Sequence, residues 1–324
     1  MRIVFCGTPE FALPTLERLI AEPDFAVEAV VTQPDRPRGR GQSLGSSPVK
    51  DAALAAGIYV YQPEKIKSDS AQDFFKRVAP DAVVIIAYGQ IIPARLLEIP
   101  RLGWINLHAS LLPKFRGAAP IHWAIIREET RTGLTTMRID AGLDTGPALL
   151  QWETEIGPDE TAPQLTKRMA EAGGPLMHET LSKLDRGEIE PVPQDHNRAT
   201  LAPPLKKEDG RIDWSLPAQQ IYNRIRGLEP WPGAFTGFRG QICHVWGRPG
   251  AALDVSSAAG LNPAPTNEDS TPGVIVKSEE TIFVACGEKT WLRLEAVRLE
   301  GRKRVTAREF ANGARLTPHD CFGA

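Results

Sequence analysis

Residues Ala82-Val83-Val84-Ile85-Ile86-Ala87 form an unbroken apolar run rich in β-branched side chains. Strict alternation would mark a strand with one wet face. A continuous run of this length suits a strand covered on both faces, as at the centre of a parallel sheet. Parallel strands need long crossovers, and the flanking sequence supplies them. Short apolar strands are expected at Ile3–Cys6, Phe25–Val31, Tyr59–Tyr61 and Trp104–His108. Helices are expected at Pro9–Ala21, Val49–Ala56, Ser70–Val78 and Pro120–Arg127, with Ser68 or Ser70 capping the third. The alternation predicts a doubly wound, mostly parallel α/β sheet.

Beyond Thr132 the rhythm changes. Gly133–Ile139 and Ala148–Ile156 read as strands around a turn-rich Asp140–Pro147, and a helix is expected over Ala162–Leu184 with Gly173-Gly174 as a soft point. Pro191, Pro193, Pro203 and Pro204 then give a linker composition. The expected organisation is a first domain over 1–189, a linker over 190–207 and a second domain over 208–324. The second domain reads as one helix, Pro217–Arg226, and short strands at Ala234–Phe238, Gln241–Val245, Gly273–Ser278, Thr281–Ala285 and Trp291–Val297. Many short strands with Gly and Pro turns suggest a small β-barrel. Leu253–Pro272, rich in Ser, Ala, Pro and Asn, reads as a long mobile surface loop.

Composition narrows the function classes. With 324 residues, 42% hydrophobic and 24% charged, the chain is an ordinary globular protein rather than a disordered or disulfide-scaffold one. No apolar run approaches the roughly 18 residues of a membrane span. The stretch Ile3–Cys6 is too short for a signal-peptide core, so a cytoplasmic protein is expected. Cys6, Cys243, Cys286 and Cys321 are far apart and the histidines lack ligand spacing, so free thiols and no metal are expected. Residues 204–324 hold 16 Lys and Arg against 14 Asp and Glu, whereas residues 1–203 hold 22 against 26. Arg36, Arg38, Arg40 and Lys50 form one local basic cluster, and Arg298, Arg302, Lys303, Arg304 and Arg308 another. Each is a solvated face or a polyanion contact.

Three places hold candidate chemistry. Gly7-Thr8-Pro9 follows the first strand but is neither a dinucleotide fingerprint nor a phosphate loop, so a plain strand-to-helix turn is the simpler reading. Asn106-Leu107-His108 closes a strand, and positions i and i+2 face one side, so Asn106 and His108 point together while Leu107 points into packing. Open α/β sheets place ligands beyond such strand ends. The turn Asp140-Ala141-Gly142-Leu143-Asp144-Thr145-Gly146-Pro147 offers two carboxylates that could orient a histidine, or a simple Asx turn.

Several motifs together resemble the methionyl-tRNA formyltransferase family of folate-dependent enzymes, over nearly the whole chain. They are Phe5–Ala12; Thr32–Pro37 with Gly39-Arg40-Gly41 and Ser47–Lys50; Asn106, His108 and Ser110–Pro113; the Asp144 turn; and Ala202–Glu208 with Gly210–Trp214. The resemblance implies a Rossmann-like α/β domain followed by a small OB-like barrel. It implies transfer of a formyl group from 10-formyltetrahydrofolate to initiator methionyl-tRNA, with no metal. It assigns catalysis to Asn106, His108 and Asp144, with Asn106 and His108 stabilising an oxyanion. It assigns the folate to backbone groups of Ser110, Leu111, Leu112 and Pro113, and to Tyr88, Gly89 and Gln90 at the end of a central strand. It assigns tRNA contacts to Arg36 and Arg40 in an inserted loop, Lys207 at the domain junction, and Arg302 and Arg304 in the barrel. A monomer is expected. An amino-sugar or nucleotide N-formyltransferase, and a catalytically silent RNA-binding protein, are the rival readings. The Gln33–Lys50 insertion, expected to be mobile until tRNA binds, counts against the first rival.

Overall fold

The computed structural model describes residues 1–38, 43–250, 271–277, 281–317 and 319–323. The first strands are β1 (Arg2–Gly7), β2 (Ala26–Val31), β3 (Arg36–Arg38), β4 (Ser43–Gly45), β5 (Val60–Tyr61), β6 (Ala82–Ile86), β7 (Trp104–His108), β8 (Arg131–Arg138) and β9 (Ala148–Glu155). Seven of them form one sheet in the order β5-β2-β1-β6-β7-β8-β9. The pairings from β5 through β7 are parallel; β7–β8 and β8–β9 are antiparallel. The apolar run is β6, buried at every position between β1 and β7, so both of its faces are covered. The chain leaves β1 towards β2 and β5, then returns to the other side of β1 for β6 and β7. That reversal is the switch point at which sheets of this Rossmann-like kind open a crevice.

The helices are α1 (Leu13–Ala21), α2 (Pro48–Ala55), α3 (Asp69–Val78), α4 (Ala94–Leu97), α5 (Pro120–Ile126), α6 (Ala162–Asp185), α7 (Ala218–Gly227) and α8 (Ala307–Ala314). Ser68 caps α3 by accepting from the Ala71 N–H at 3.2 Å. Gly173-Gly174 is a close approach inside a continuous α6 rather than a soft point. A Cβ at Gly173 would lie 2.6 Å from Leu107 Cδ2 and 3.0 Å from Thr15 Oγ1. Leu107 therefore anchors β7 against α6, on the side away from Asn106 and His108.

The chain divides into two compact units. The first comprises Met1–Ile121, Arg131–Glu155 and Gln164–Pro203; the second comprises His122–Thr130, Ile156–Pro163 and Pro204–Ala324. The second is built on β10 (Phe235–Phe238), β11 (Gln241–Gly250), β12 (Ile275–Lys277), β13 (Ile282–Ala285), β14 (Trp291–Leu299) and β15 (Val305–Thr306). They form an antiparallel, barrel-like sheet, β10-β11-β14-β13-β12, with β15 on β14. Trp214, Phe238, Phe310 and Phe322 fill its core, with ring pairs 5.0–6.2 Å apart. Helix α7 draws two earlier segments into this unit: Asn223 donates to Glu128 in the first, while Tyr222 donates to Asp159 and the buried Arg226 to the carbonyls of Gly157 and Glu160 in the second. Residues 190–203, linker-like in composition, are hydrogen-bonded into the first unit, where Val192 bridges Ala148 and Leu201 bridges Arg116. The basic insertion begins as the β3–β4 hairpin, held at its base by the Asp35–Lys50 ion pair. Its tip, and residues 253–270 of the segment read as a mobile loop, lie outside the described residues.

Candidate active site

Strand β7 runs parallel to β6 and ends at the same edge of the sheet, with Asn106 partly exposed between buried neighbours. No hydrogen bond among the described residues engages the Asn106 side chain, so its amide is free for a ligand. His108, on the same strand face, is 6% exposed. Its Nε2 lies 2.9 Å from the carbonyl oxygen of Phe115. A carbonyl only accepts, so Nε2 carries the proton in this contact. Its Nδ1 faces Asp144 Oδ2 at 3.6 Å, an ion-pair distance rather than a hydrogen bond. The expected ring N–H for an oxyanion thus already has a partner at Nε2.

Asp144 stands at φ 51°, in the left-handed region that carries strain for a residue with a Cβ. Its Oδ2 also accepts the Gly117 N–H at 2.8 Å. The second carboxylate of the turn plays another part: Asp140 accepts from the Gly142 N–H and the Thr145 hydroxyl, an Asx turn. The loop after β7 therefore reaches both partners, His108 through the Phe115 carbonyl and Asp144 through the Gly117 N–H. Phe115 and Gly117 both have positive φ, 60° and 118°. A Cβ at Gly117 would meet the Ala202 carbonyl at 2.6 Å, so glycine is required there.

The stretch assigned to the folate is internally tied. The Leu112 N–H donates to Thr135 Oγ1, Thr135 donates to the Ser110 carbonyl, and Gln151 donates to the Leu112 carbonyl. The Leu111 and Pro113 carbonyls accept from the Lys114 and Thr200 N–H groups. A carbonyl keeps a second lone pair for a ligand, so the carbonyls retain capacity. The Tyr88 side chain is 1% exposed and part of the core, which leaves its backbone to meet anything in the cleft. Burial pushes its phenol far above the ordinary range.

A cleft of about 680 Å³ lies beyond β1, β2 and β6, lined by Thr8, Gln33, Arg36, Glu64, Gly89 and Gln90 among others. Gln33 organises it, donating to the Tyr88 carbonyl at 2.9 Å. Thr8 accepts the Gln33 N–H, so the first turn is a satisfied strand-to-helix connection. No group of three His, Cys, Asp or Glu able to hold a metal occurs among the described residues.

The residues assigned to tRNA are scattered. Arg36 is exposed on the cleft wall, and Arg40 lies outside the described residues. In the second unit Lys207 and Arg302 are exposed, and Arg304 stacks over the Trp246 ring at 4.1 Å. Alternation along β11 turns His244 and Trp246 to one outer face, and His244 pairs across with Arg298. His244 is held below the usual histidine range, first by burial and then by the charges of Arg298 and Lys207. This aromatic and basic face was visible in the sequence only as the arginines. The pattern His244-x-Trp246 in an alternating strand was the signal that would have completed it.

Residues 1–181 match the formyl transferase family, and residues 204–315 match the formyl transferase C-terminal domain. The methionyl-tRNA formyltransferase of Solibacter usitatus is 52% identical over all of this chain and 99% of its own length. That of Koribacter versatilis is 50% identical over 100% and 99%. Among solved structures, the sugar 3N-formyl transferase WlaRD superposes with a TM-score of 0.63 at 16% identity, covering 94% of this chain and 99% of that one. HypX from Aquifex aeolicus, in complex with tetrahydrofolic acid, gives 0.59 at 16% identity, covering 97% and 48%. At such identities these two speak for the fold alone.

Proposed function

The chain belongs to the formyl transferase family, and on that footing we propose how its residues formylate initiator methionyl-tRNA. The relatives bearing that activity share about half of all positions with this chain over its full length. The formyl donor is 10-formyltetrahydrofolate. The lone pair of the methionyl amine attacks the formyl carbon, a tetrahedral oxyanion forms, and the bond from carbon to folate nitrogen breaks. One proton leaves the amine and one arrives on that nitrogen, so the net demand on the protein is oxyanion stabilisation and proton transfer.

Asn106 supplies the oxyanion donor, since its amide has no competing partner. His108 and Asp144 handle the proton. With Nε2–H committed to Phe115, the second ring proton is taken at Nδ1, where the Asp144 carboxylate meets it. This pairing of a partly buried His–Asp couple with an unengaged Asn on the His108 strand end carries the reading. Gly89, Gln90 and the carbonyls of Ser110–Pro113 wall the folate. The Thr8–Gln33–Arg36 side of the cleft takes the acceptor end, Arg36 meeting phosphate. Arg40 in the inserted segment, and Lys207, Arg302 and Arg304 in the second unit, contact the tRNA.

The test is incubation with 10-formyltetrahydrofolate and either methionyl initiator tRNA or a nucleotide-linked amino sugar. Formyl-methionyl-tRNA is the expected product. Formylation of the sugar alone would overturn the reading. Each phosphate contact removed, as in Arg36→Ala, should flatten the salt slope of log(kcat/KM) for tRNA by roughly 0.7–0.9.

A further inference from the structure

The segment 190–203 contributes more than a connection. Gln194 is 8% exposed, and its single amide nitrogen donates to two carbonyls of the catalytic turn, Asp144 at 2.9 Å and Gly146 at 2.6 Å. Its amide oxygen accepts twice from Arg116, at 3.1 Å from Nε and 2.7 Å from Nη2. Arg116 is itself 6% exposed. A guanidinium only donates, so it fixes the amide with oxygen towards Arg116 and nitrogen towards the turn. The turn needs such a hold, because Asp144 sits at φ 51°. The same segment holds the other partner. Thr200 accepts the Phe115 N–H at 2.8 Å, and its carbonyl accepts the Arg116 N–H at 2.8 Å. Phe115 is the residue whose carbonyl receives His108 Nε2.

We propose that Gln194, oriented by Arg116, is a positioning residue for formyl transfer: it locks the turn that aims Asp144 at His108. Segment 190–203 is thereby a strap over the catalytic pair, with Thr200 fixing the His108 side. The inference rests on His108 and Asp144 being the catalytic pair. Gln194 bonds Arg116 on one side and the turn carrying Asp144 on the other, so its contribution passes through Asp144. Loss of the clamp leaves substrate contacts in place and lets the carboxylate drift.

Two variants separate positioning from folding. Gln194→Leu removes both sets of bonds. Gln194→Glu keeps an acceptor for Arg116 but turns oxygen, not N–H, towards the two carbonyls. Placement errors near 1 Å can cost about 100-fold, so both variants should lose roughly 10- to 100-fold in kcat. KM for 10-formyltetrahydrofolate and for methionyl-tRNA should stay within about threefold, as expected when an interaction felt only in the transition state is lost. Gln194→Asp and Gln194→Glu should fail alike, since rescue needs an N–H donor. A Gln194→Glu enzyme with kcat within about twofold of wild type overturns the proposal. Combining Gln194→Leu with Asp144→Asn decides the route. If Gln194 acts through Asp144, the double variant is no slower than Asp144→Asn alone; multiplied losses overturn the proposal. An Asp144→Asn enzyme with wild-type kcat would instead strike down the catalytic reading itself, a separable result.

Discussion

Asp144→Asn tests the core of the proposed mechanism with little structural disturbance. The amide oxygen of Asn can still accept the Gly117 N–H, so the turn keeps that bond. What disappears is the charge facing His108 Nδ1 at 3.6 Å. Coulomb's law at that distance gives about 5 kcal/mol at an effective dielectric of ~20, and about 1 kcal/mol in bulk water. His108 is 6% and Asp144 16% exposed, which places the pair nearer the first figure. Part of the interaction replaces lost hydration, so a net effect of about 3–4 kcal/mol on the proton-transfer step is expected. At 1.36 kcal/mol per decade that is roughly a 10²–10³-fold loss in kcat. The assay is single-turnover formylation of methionyl-tRNA at saturating 10-formyltetrahydrofolate, with thermal denaturation as the control for folding. A kcat within about fivefold of wild type, with the melting curve unchanged, would refute a charge-bearing role for Asp144.

Three further outcomes are expected. Gly173→Val should destabilise the first unit by roughly 1–3 kcal/mol and lower kcat, because its side chain drives into Leu107 between Asn106 and His108; thermal denaturation and turnover measured together check this. Asp320→Asn should lower stability near neutral pH by about 1–2 kcal/mol, the half-exposed Arg239 partner being screened. Arg239 holds the Asp320 carboxyl down at about 2, so that stability is present above the usual carboxylate range and fades as pH falls towards about 2; the gap between variant and wild-type melting should close there. Burial pushes the thiols of Cys243 and Cys286 up to about 12, so iodoacetamide at mildly alkaline pH should leave both unmodified in the native chain, while denaturant exposes them; mass spectrometry of digests reads the outcome.

The sequence was legible where structure is local or periodic. The unbroken apolar run placed β6 at the sheet centre, and the i, i+2 rule put Asn106 and His108 on one face. It was opaque where sequence-distant groups meet. Pro191, Pro193, Pro203 and Pro204 made 190–207 read as a linker, yet Gln194 and Thr200 bond residues 48 to 85 positions away, which no periodicity encodes. The glycine pair in α6 suggested weakness because its partner, Leu107, is remote in the chain. Helix α8 was missed although Thr306 and Glu309 form a capping box, a local signal that was there to be read. The segments that α7 recruits from before residue 164 lay beyond any contiguous division of the chain.

The candidate site draws its precision from one short loop rather than from the strand alone. His108 leans on the Phe115 carbonyl and Asp144 on the Gly117 N–H, with Arg116 between them reaching Gln194. A small shift of this loop therefore moves both members of the pair in the same sense and changes their separation little. A shift of the Asp144 turn alone moves only one member, and Gln194 sits where that motion would begin. The loop's own shape depends on positive φ at Phe115 and Gly117, tolerated because Thr200 and Ala202 hold its backbone from outside. Strain in the loop and order in the strap are two sides of one arrangement. Substitutions in the strap should accordingly act on kcat well before they act on substrate affinity.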